Sequence, residues 1–556
     1  MPAINDTASA KMDKSGFLRH TGALSVSVFL SRILGLLRDI VMSAVLGGGV
    51  HMSAWVQAST FANIMRQILG EGALGQALVP ILAETLKNDG PEAARRKFTT
   101  IFIYLTLFLC FICVIVTLPM YLLVAFGFFT SPIWKTAAYL MPIVMPYMIF
   151  ICTVGIMTSC MNMLRVFFLP SLTAVLQNLV IILAMLVVCP YLNTGWDKLQ
   201  TIAFSVLLSG VLESLFMLWI LHREKMQLCL FVKSVWTDRK SLIEIFSVAL
   251  PGILASGTHA ISTMADRLIS GNIPKIAGEV GNYATAAIYY ADRVVLFPIG
   301  IFAFAFGTVA LTEMSRAHAE GNEKTFLDTM VFSLRTLMFI TFPLTAFLYW
   351  YGREILQLFF LHGNFDMTCL EQSFWALQFY VFGIPAFASL KIISSAFTSR
   401  KDMKTPFYTG VAAIMLNIVL NLILMYPLRQ GGITLATAVS SYANNFCLLY
   451  ILRRQFGEKF QLNDMLVFLL KTIILSILPI IPSGYCYDGV YYLISYLHIP
   501  HAGAIIRNAF QFVYQAVPIG VAGIVYVVLL LFLGRLFRMK EAESVVSKVV
   551  SRLKRK

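Results

Sequence analysis

Apolar runs long enough to cross a lipid bilayer recur along this chain from Ala23 to Leu533. Inside hydrocarbon every backbone N–H and C=O must be paired within the structure, so such a chain folds as spanning helices or as a closed barrel. The period-two alternation that marks an outer-membrane barrel is absent. What remains is an all-α polytopic membrane protein. Composition agrees: the mean hydropathy is +0.77 and 13% of residues are charged, against about 25% in soluble domains.

Hydropathy places fourteen spans at about 23–48, 53–86, 98–126, 134–163, 170–189, 199–221, 241–272, 282–314, 325–350, 370–398, 405–427, 431–452, 463–482 and 514–534. An even count puts both termini on one side. Of the 43 lysines and arginines, 29 fall on that side and 6 in the opposite loops, with 8 inside spans. Short cytoplasmic loops collect basic residues, so both termini are expected in the cytoplasm. The same split accounts for the net charge of +15 without nucleic acid. The first 22 residues are polar and read as a cytoplasmic segment, not a cleavable leader. The last residues, VVSKVVSRLKRK, read as a basic tail over 535–556 suited to an anionic leaflet.

The chain also reads as doubled. The second span carries Arg66 and ends in Leu82-Ala83-Glu84; the eighth carries Arg293 and ends in Leu311-Thr312-Glu313. The fifth (LQNLVIIL) and eleventh (LNIVLNLIL) share an asparagine in an apolar frame. Each pair is six helices apart, which preserves orientation and predicts parallel repeats. The expected organisation is a lobe of helices one to six over 23–222, a second of helices seven to twelve over 241–455, and a helix pair over 463–534.

Five arginines, Arg32, Arg38, Arg66, Arg267 and Arg293, sit inside these apolar stretches. Each costs about 2.5–3.5 kcal/mol at the centre of a membrane helix, roughly 12–17 kcal/mol for five without partners. Such a load implies a water-filled cavity and an anion that enters it. The guanidinium fork matches phosphate bidentately, which points to a phosphate-bearing amphiphile. Asp39, Glu71 and Asp292 are the acids that either pair these charges between helices or line the cavity. Glu71 lies between Gly70 and Gly72, where a helix bends or is approached closely. Neighbouring residues on a helix diverge, so Asp292 and Arg293 are expected to seek partners on other helices.

The segments SRILGLLRD, RQILGEGALGQALVPILAE and YYADRVVLFPIG together resemble the MurJ (MviN) lipid II flippases of the MOP exporter superfamily, over residues about 20–460. That resemblance implies a fourteen-helix transporter with two six-helix lobes in a pseudo-two-fold arrangement and an extra helix pair forming a lipid-tail groove. It implies movement of lipid-linked peptidoglycan precursor from the cytoplasmic to the periplasmic leaflet of the bacterial inner membrane. Carried over residue by residue, Arg32, Arg38, Arg66 and Arg293 would engage the diphosphate. Asp39, Glu71 and Asp292 would be cavity or gating acids. Where many members carry an acid early in the second helix this chain has Ser53, which puts the gating role of that acid in doubt here. Sodium-binding members place a site between helices seven, eleven and twelve. The corresponding residues are Asp266, Asn417, Asn421 and Thr437, with Asn417 and Asn421 on one helical face; the competing role for the asparagines is inter-helix hydrogen bonding. No cofactor beyond such a sodium ion is implied. The expected partners are lipid II and cell-wall synthesis proteins, with the chain itself a monomer.

Other classes fit less well. A drug exporter of the same superfamily favours a net acidic cavity, whereas export of another lipid-linked oligosaccharide stays open. A membrane glycosyltransferase or phosphatase needs clustered acids or histidines. The 8 histidines are dispersed, and only His498 and His501 approach each other, about Pro500 and without a carboxylate. The 9 cysteines read as small buried hydrophobes, not a metal or disulfide framework. A long loop is expected over about 483–513, with the aromatic stretch YCYDGVYYLISYLHIP at the membrane interface.

Overall fold

The computed structural model describes residues 14–70, 73–128, 131–229, 260–457, 462–496 and 504–543. They contain helices and turns and no strand. In chain order the helices are α1 (Lys14–Leu46), α2 (Val50–Met65), α3 (Ala73–Asn88), α4 (Gly90–Ala125), α5 (Pro132–Val144), α6 (Tyr147–Met163), α7 (Phe168–Tyr191) and α8 (Gly195–Arg223). They continue as α9 (260–270), α10 (Ala284–Ala319), α11 (Glu323–Phe360), α12 (Met367–Thr398), α13 (Lys404–Leu428), α14 (Gln430–Phe456), α15 (Leu462–Ile477), α16 (Ile480–Ser495) and α17 (Ala504–Leu536). Every span expected from hydropathy is mainly helical where it is described, with breaks such as those at 145–146 and 478–479. Among the described residues nine helices are long and apolar enough to cross a bilayer, or ten if α5 and α6 count as one bent span.

Local chemistry sets the ends and bends. Thr194, Asn322 and Asp366 accept the amides of Asp197, Thr325 and Cys369 at 3.0, 3.0 and 2.7 Å, capping α8, α11 and α12. The α5–α6 bend of 50° falls at Met145–Pro146, where proline withholds an N–H from the ladder. The second span is also broken: a π-helical turn, Arg66–Gly70, separates α2 from α3. Such turns gather at functional sites. Here Gly155 of α6 lies so near that a Cβ on it would sit 2.5 Å from the Gly70 carbonyl oxygen. The glycine signal at Gly70 therefore marks a real close approach.

The chain divides into two compact units: Met1–Leu46 with Val50–Ala260, and Gly47–Gly49 with Ile261–Lys556. In the second unit Leu334 and Leu337 of α11, Ile392 and Phe397 of α12, Leu448 and Leu452 of α14, and Phe468 of α15 form a fully enclosed core. The Tyr526 hydroxyl of α17 reaches the carbonyls of Pro343 (3.0 Å) and Ser476 (2.7 Å), tying the last helices to α11. The outward faces are apolar, as lipid requires: Phe111, Val114 and Leu118 on α4 are all more than half exposed.

Two sequence expectations are corrected. The long loop over 483–513 is not a loop where it is described. Helix α16 runs through it to Ser495, and α17 begins at Ala504. The tyrosines that suggested an interfacial loop are spaced for a helix, with Tyr487 and Tyr491 one turn apart and stacked at 6.0 Å. Nor are all cysteines buried: Cys110 and Cys447 are exposed, because an apolar thiol sits as easily on a lipid-facing wall as in a core. Residues 241–259 of the seventh expected span, both loop histidines and most of the basic tail lie outside the described residues.

Candidate functional site

In the first unit α1 carries Arg32, exposed, and Arg38, half-buried. The Arg38 Nε and Nη2 donate to Asp39 Oδ1 at 3.0 and 2.8 Å, and Nη1 donates to Asn178 Oδ1 of α7 at 3.1 Å. Adjacent residues on a helix diverge, yet the long arginine stem curls back to its neighbour, which is 2% exposed. Arg66 opens the π-helical turn, and with Arg32 it lines a cavity of about 540 Å³. Gln177, Asn162 and Ser159 supply neutral polar groups to the same walls, and Glu213 of α8 supplies a carboxylate. Two guanidiniums and one carboxylate leave the cavity lining net basic. Ser53 is wholly buried on α2, and Glu71 lies outside the described residues.

The second unit gathers all four candidate sodium ligands. Asp266 of α9 accepts from Asn421 Nδ2 at 2.6 Å and from the Thr437 hydroxyl at 2.9 Å. Asn421 Nδ2 also donates to Asn417 Oδ1 at 3.1 Å, and Asn417 Nδ2 donates to Thr437 at 3.2 Å, closing a ring of four side chains. Asn417 and Asn421 are 0% exposed, and Asn421 Oδ1 is buried without a hydrogen bond. Carboxylate, amide and hydroxyl oxygens are what a hard cation takes. Turning either amide would present its Oδ1 where its Nδ2 now meets an oxygen, so the residues fit sodium. Among the described residues no cluster of three or more His, Cys, Asp or Glu exists for a transition metal.

Beside this ring lies a second constellation. Arg267 Nη2 is 3.9 Å from Asp292 Oδ2, whose other oxygen accepts the Tyr380 hydroxyl at 2.9 Å. Asp292 thus turns to other helices, as the divergence of neighbours requires. Tyr289, one turn before Arg293, lies under the Arg293 guanidinium at 4.4 Å and within 5.6 Å of Arg267. The aromatic face holds Arg293 by its plane.

Sequence reasoning missed Glu213, 0% exposed, although an acid alone in LLSGVLESLFML is itself a signal. It missed Tyr289, Tyr380 and Asn178, whose roles are visible only once helices pack. It also passed over Arg335, inside the ninth span, which meets Glu541 at 3.2 Å and covers Phe468.

Known proteins agree with this architecture. The family described as lipid II flippase MurJ matches residues 42–497, beginning just after Asp39. A Vibrio cholerae serotype O1 protein named probable lipid II flippase MurJ is 28% identical over 458 residues, 80% of this chain and 83% of that one. The lipid II flippase MurJ of Burkholderia cenocepacia is 26% identical over 444 residues, covering 78% and 83%. Among solved structures, a lipid II flippase MurJ in an inward closed conformation superposes with TM-score 0.70 at 23% identity, over 92% of this chain and 98% of that one. An inward-facing MATE multidrug transporter of the MOP superfamily reaches 0.64 at 16% identity, over 78% and 98%. Both likenesses concern the fold. The family match spans well over half of a helical membrane chain with basic residues set into its interior, and the chain belongs to the MurJ lipid II flippase family.

Proposed function

We propose that this protein moves lipid II, the undecaprenyl-diphosphate-linked peptidoglycan precursor, from the cytoplasmic to the periplasmic leaflet for cell-wall synthesis. It is a transporter and not an enzyme, it works by alternating access, and both termini face the cytoplasm. The observation that carries the reading is the cavity in which Arg32 and Arg66 face a shared space of about 540 Å³ within apolar helices. A diphosphate offers two or more negative charges and pairs of oxygens spaced for guanidinium forks.

Arg32 and Arg66 are the diphosphate ligands offered by the first unit in this proposal, and Arg293 is the guanidinium that the second unit contributes to transport. Arg38 contributes field, since three of its donor positions are already committed to Asp39 and Asn178. The ring of Asp266, Asn417, Asn421 and Thr437 would hold sodium, which would supply a positive charge to a buried carboxylate. The polyprenyl chain stays in lipid along α15–α17. With the cytoplasm negative, each negative charge carried outward gains about 2.3 kcal/mol per 100 mV across the full field, and the emptied basic cavity is drawn back inward by the same field.

The test is leaflet accessibility of labelled lipid II in cells depleted of this protein. Retention on the cytoplasmic side, relieved by the wild-type chain but not by Arg66→Glu expressed at equal level, is expected. Unchanged accessibility on depletion would refute the assignment.

A further inference from the structure

The tyrosine-rich stretch of α16 has no part in the transport reading, and in the second unit it packs into a constellation of its own. Tyr487 stacks on Tyr491 with ring centroids 6.0 Å apart and 17° between the planes. Tyr351 of α11 lies against Tyr487 at 5.7 Å, and Tyr514 of α17 meets Tyr491 edge-on at 5.0 Å. The Tyr351 hydroxyl is fixed by the Ser483 hydroxyl, 2.9 Å away. Glu354 follows Tyr351 by three residues on α11, hence on the same face. Its Oε2 is buried without a hydrogen bond, and among the described residues no cation pairs with it. The neighbouring Arg353 turns away: its Nε and Nη2 donate to Glu371 Oε1 of α12 at 2.9 and 2.5 Å. Helix α16 carries no lysine, arginine or histidine. Glu354 and the exposed Asp488 of α16 are the carboxylates whose charge reaches Tyr487.

We propose that Glu354 and the rings of Tyr351, Tyr487 and Tyr491 beside it form a binding site for a primary ammonium group. A buried carboxylate oxygen without a donor is costly, and an ammonium supplies both the missing donor and the missing charge. Aromatic rings attract the same group through the negative potential of their faces. An ammonium is compact and its three donors rotate freely, whereas a guanidinium is a planar fork that asks for paired acceptors. A hard metal ion takes more oxygen ligands than one carboxylate and a few phenol hydroxyls offer. Tyr485, Tyr492 and Tyr496 of the same helix are all more than half exposed, and tyrosines of this kind gather at the level of lipid head groups. The ammonium therefore comes either from an ethanolamine head group or from a small amine in the adjoining water. The site shares no residue with the arginine cavity or the Asp266 ring, so it stands whether or not the chain moves lipid II.

The experiment follows the melting temperature of the full-length protein in detergent, with ethylammonium chloride as the probe and sodium chloride constant and in excess. Ethylammonium is expected to raise the melting temperature of wild type, and the same concentration of potassium chloride is not. Glu354→Gln keeps the shape and removes the ionisable oxygen. It should melt no lower than wild type without the probe and should lose the response. If that variant does not fold, Tyr487→Leu and Tyr487→Phe decide: removing the ring should weaken the apparent affinity several-fold, and removing the hydroxyl alone should leave it nearly unchanged. Nanodiscs separate the two sources. For a lipid head group, wild type melts higher in phosphatidylethanolamine than in phosphatidylcholine, and Glu354→Gln does not distinguish the two lipids. For a water-borne amine, the two lipids are equivalent and ethylammonium stabilises wild type in both. The proposal is overturned if neither ethylammonium nor phosphatidylethanolamine stabilises wild type, or if Glu354→Gln or Tyr487→Leu responds as wild type does.

Discussion

Charge placement at single residues decides what the interior of this molecule can hold. The arginines were legible in the sequence because guanidiniums inside apolar runs are too costly to be incidental. Their partners were not. Asp39 was expected to diverge from Arg38, and the flexible stem overrides that rule; Asn178 and Tyr380 come close only through helix packing. The sodium ligands are the converse case, for Asp266, Asn417, Asn421 and Thr437 were named by resemblance and do meet. Asp266→Asn should therefore abolish any rise in melting temperature produced by sodium, which ligand linkage makes about 2.7 kcal/mol at a hundredfold excess over Kd; a sodium-dependent shift that survives would place the ion elsewhere. Glu213 places a carboxyl group in the wall of the arginine cavity. Glu213→Gln keeps its shape and removes the ionisable oxygen. It should tighten geranyl diphosphate binding, measured by titration, and slow lipid release in a transport assay.

Among the elements, the broken second span does most to set the site. Gly70 and Gly72 hinted at a bend, and the structure resolves the hint into a π-helical turn pressed against Gly155. Hydropathy cannot see this, since it averages over a window longer than the turn. A side chain at Gly155 would meet Gly70 backbone at 2.5–2.6 Å. Gly155→Val is expected to cost about 1–3 kcal/mol by overpacking and to displace Arg66, so thermal melting and geranyl diphosphate affinity should fall together. Wild-type affinity in a destabilised Gly155→Val protein would separate the turn from the site. The α16 segment teaches a different lesson. Its tyrosines, glycines and Pro482 look like a loop by local propensity, and it is helical because α17 and Tyr351 of α11 pack along it. Tyr526→Phe removes the hydroxyl joining α17 to α11 and α15, and a loss of about 1 kcal/mol is expected from thermal or denaturant unfolding.

For the whole molecule, fold class was the most legible property, because a bilayer permits few architectures and the apolar runs are long. The doubling was faint in sequence and gains support in the side chains: Asn421 donates to Asp266 in the second unit, and Arg38 bridges Asp39 to Asn178 in the first. What sequence could not supply is which charges face a shared space, since Arg66 and Glu213 are far apart in the chain and line the same cavity. The central claim is that a phosphate-bearing lipid crosses the membrane by way of these arginines. It is tested most directly by reconstituting the purified protein in liposomes with fluorescent lipid II and measuring loss of inner-leaflet label under an imposed potential, for wild type, Arg66→Glu and Arg293→Glu. Wild type should translocate the lipid, faster with the potential oriented to drive anions outward. Both reversals should reduce the rate at least about a hundredfold, as expected for two lost charge-assisted contacts of 1.5–3 kcal/mol each with repulsion added. Translocation by either reversal at the wild-type rate would contradict the account.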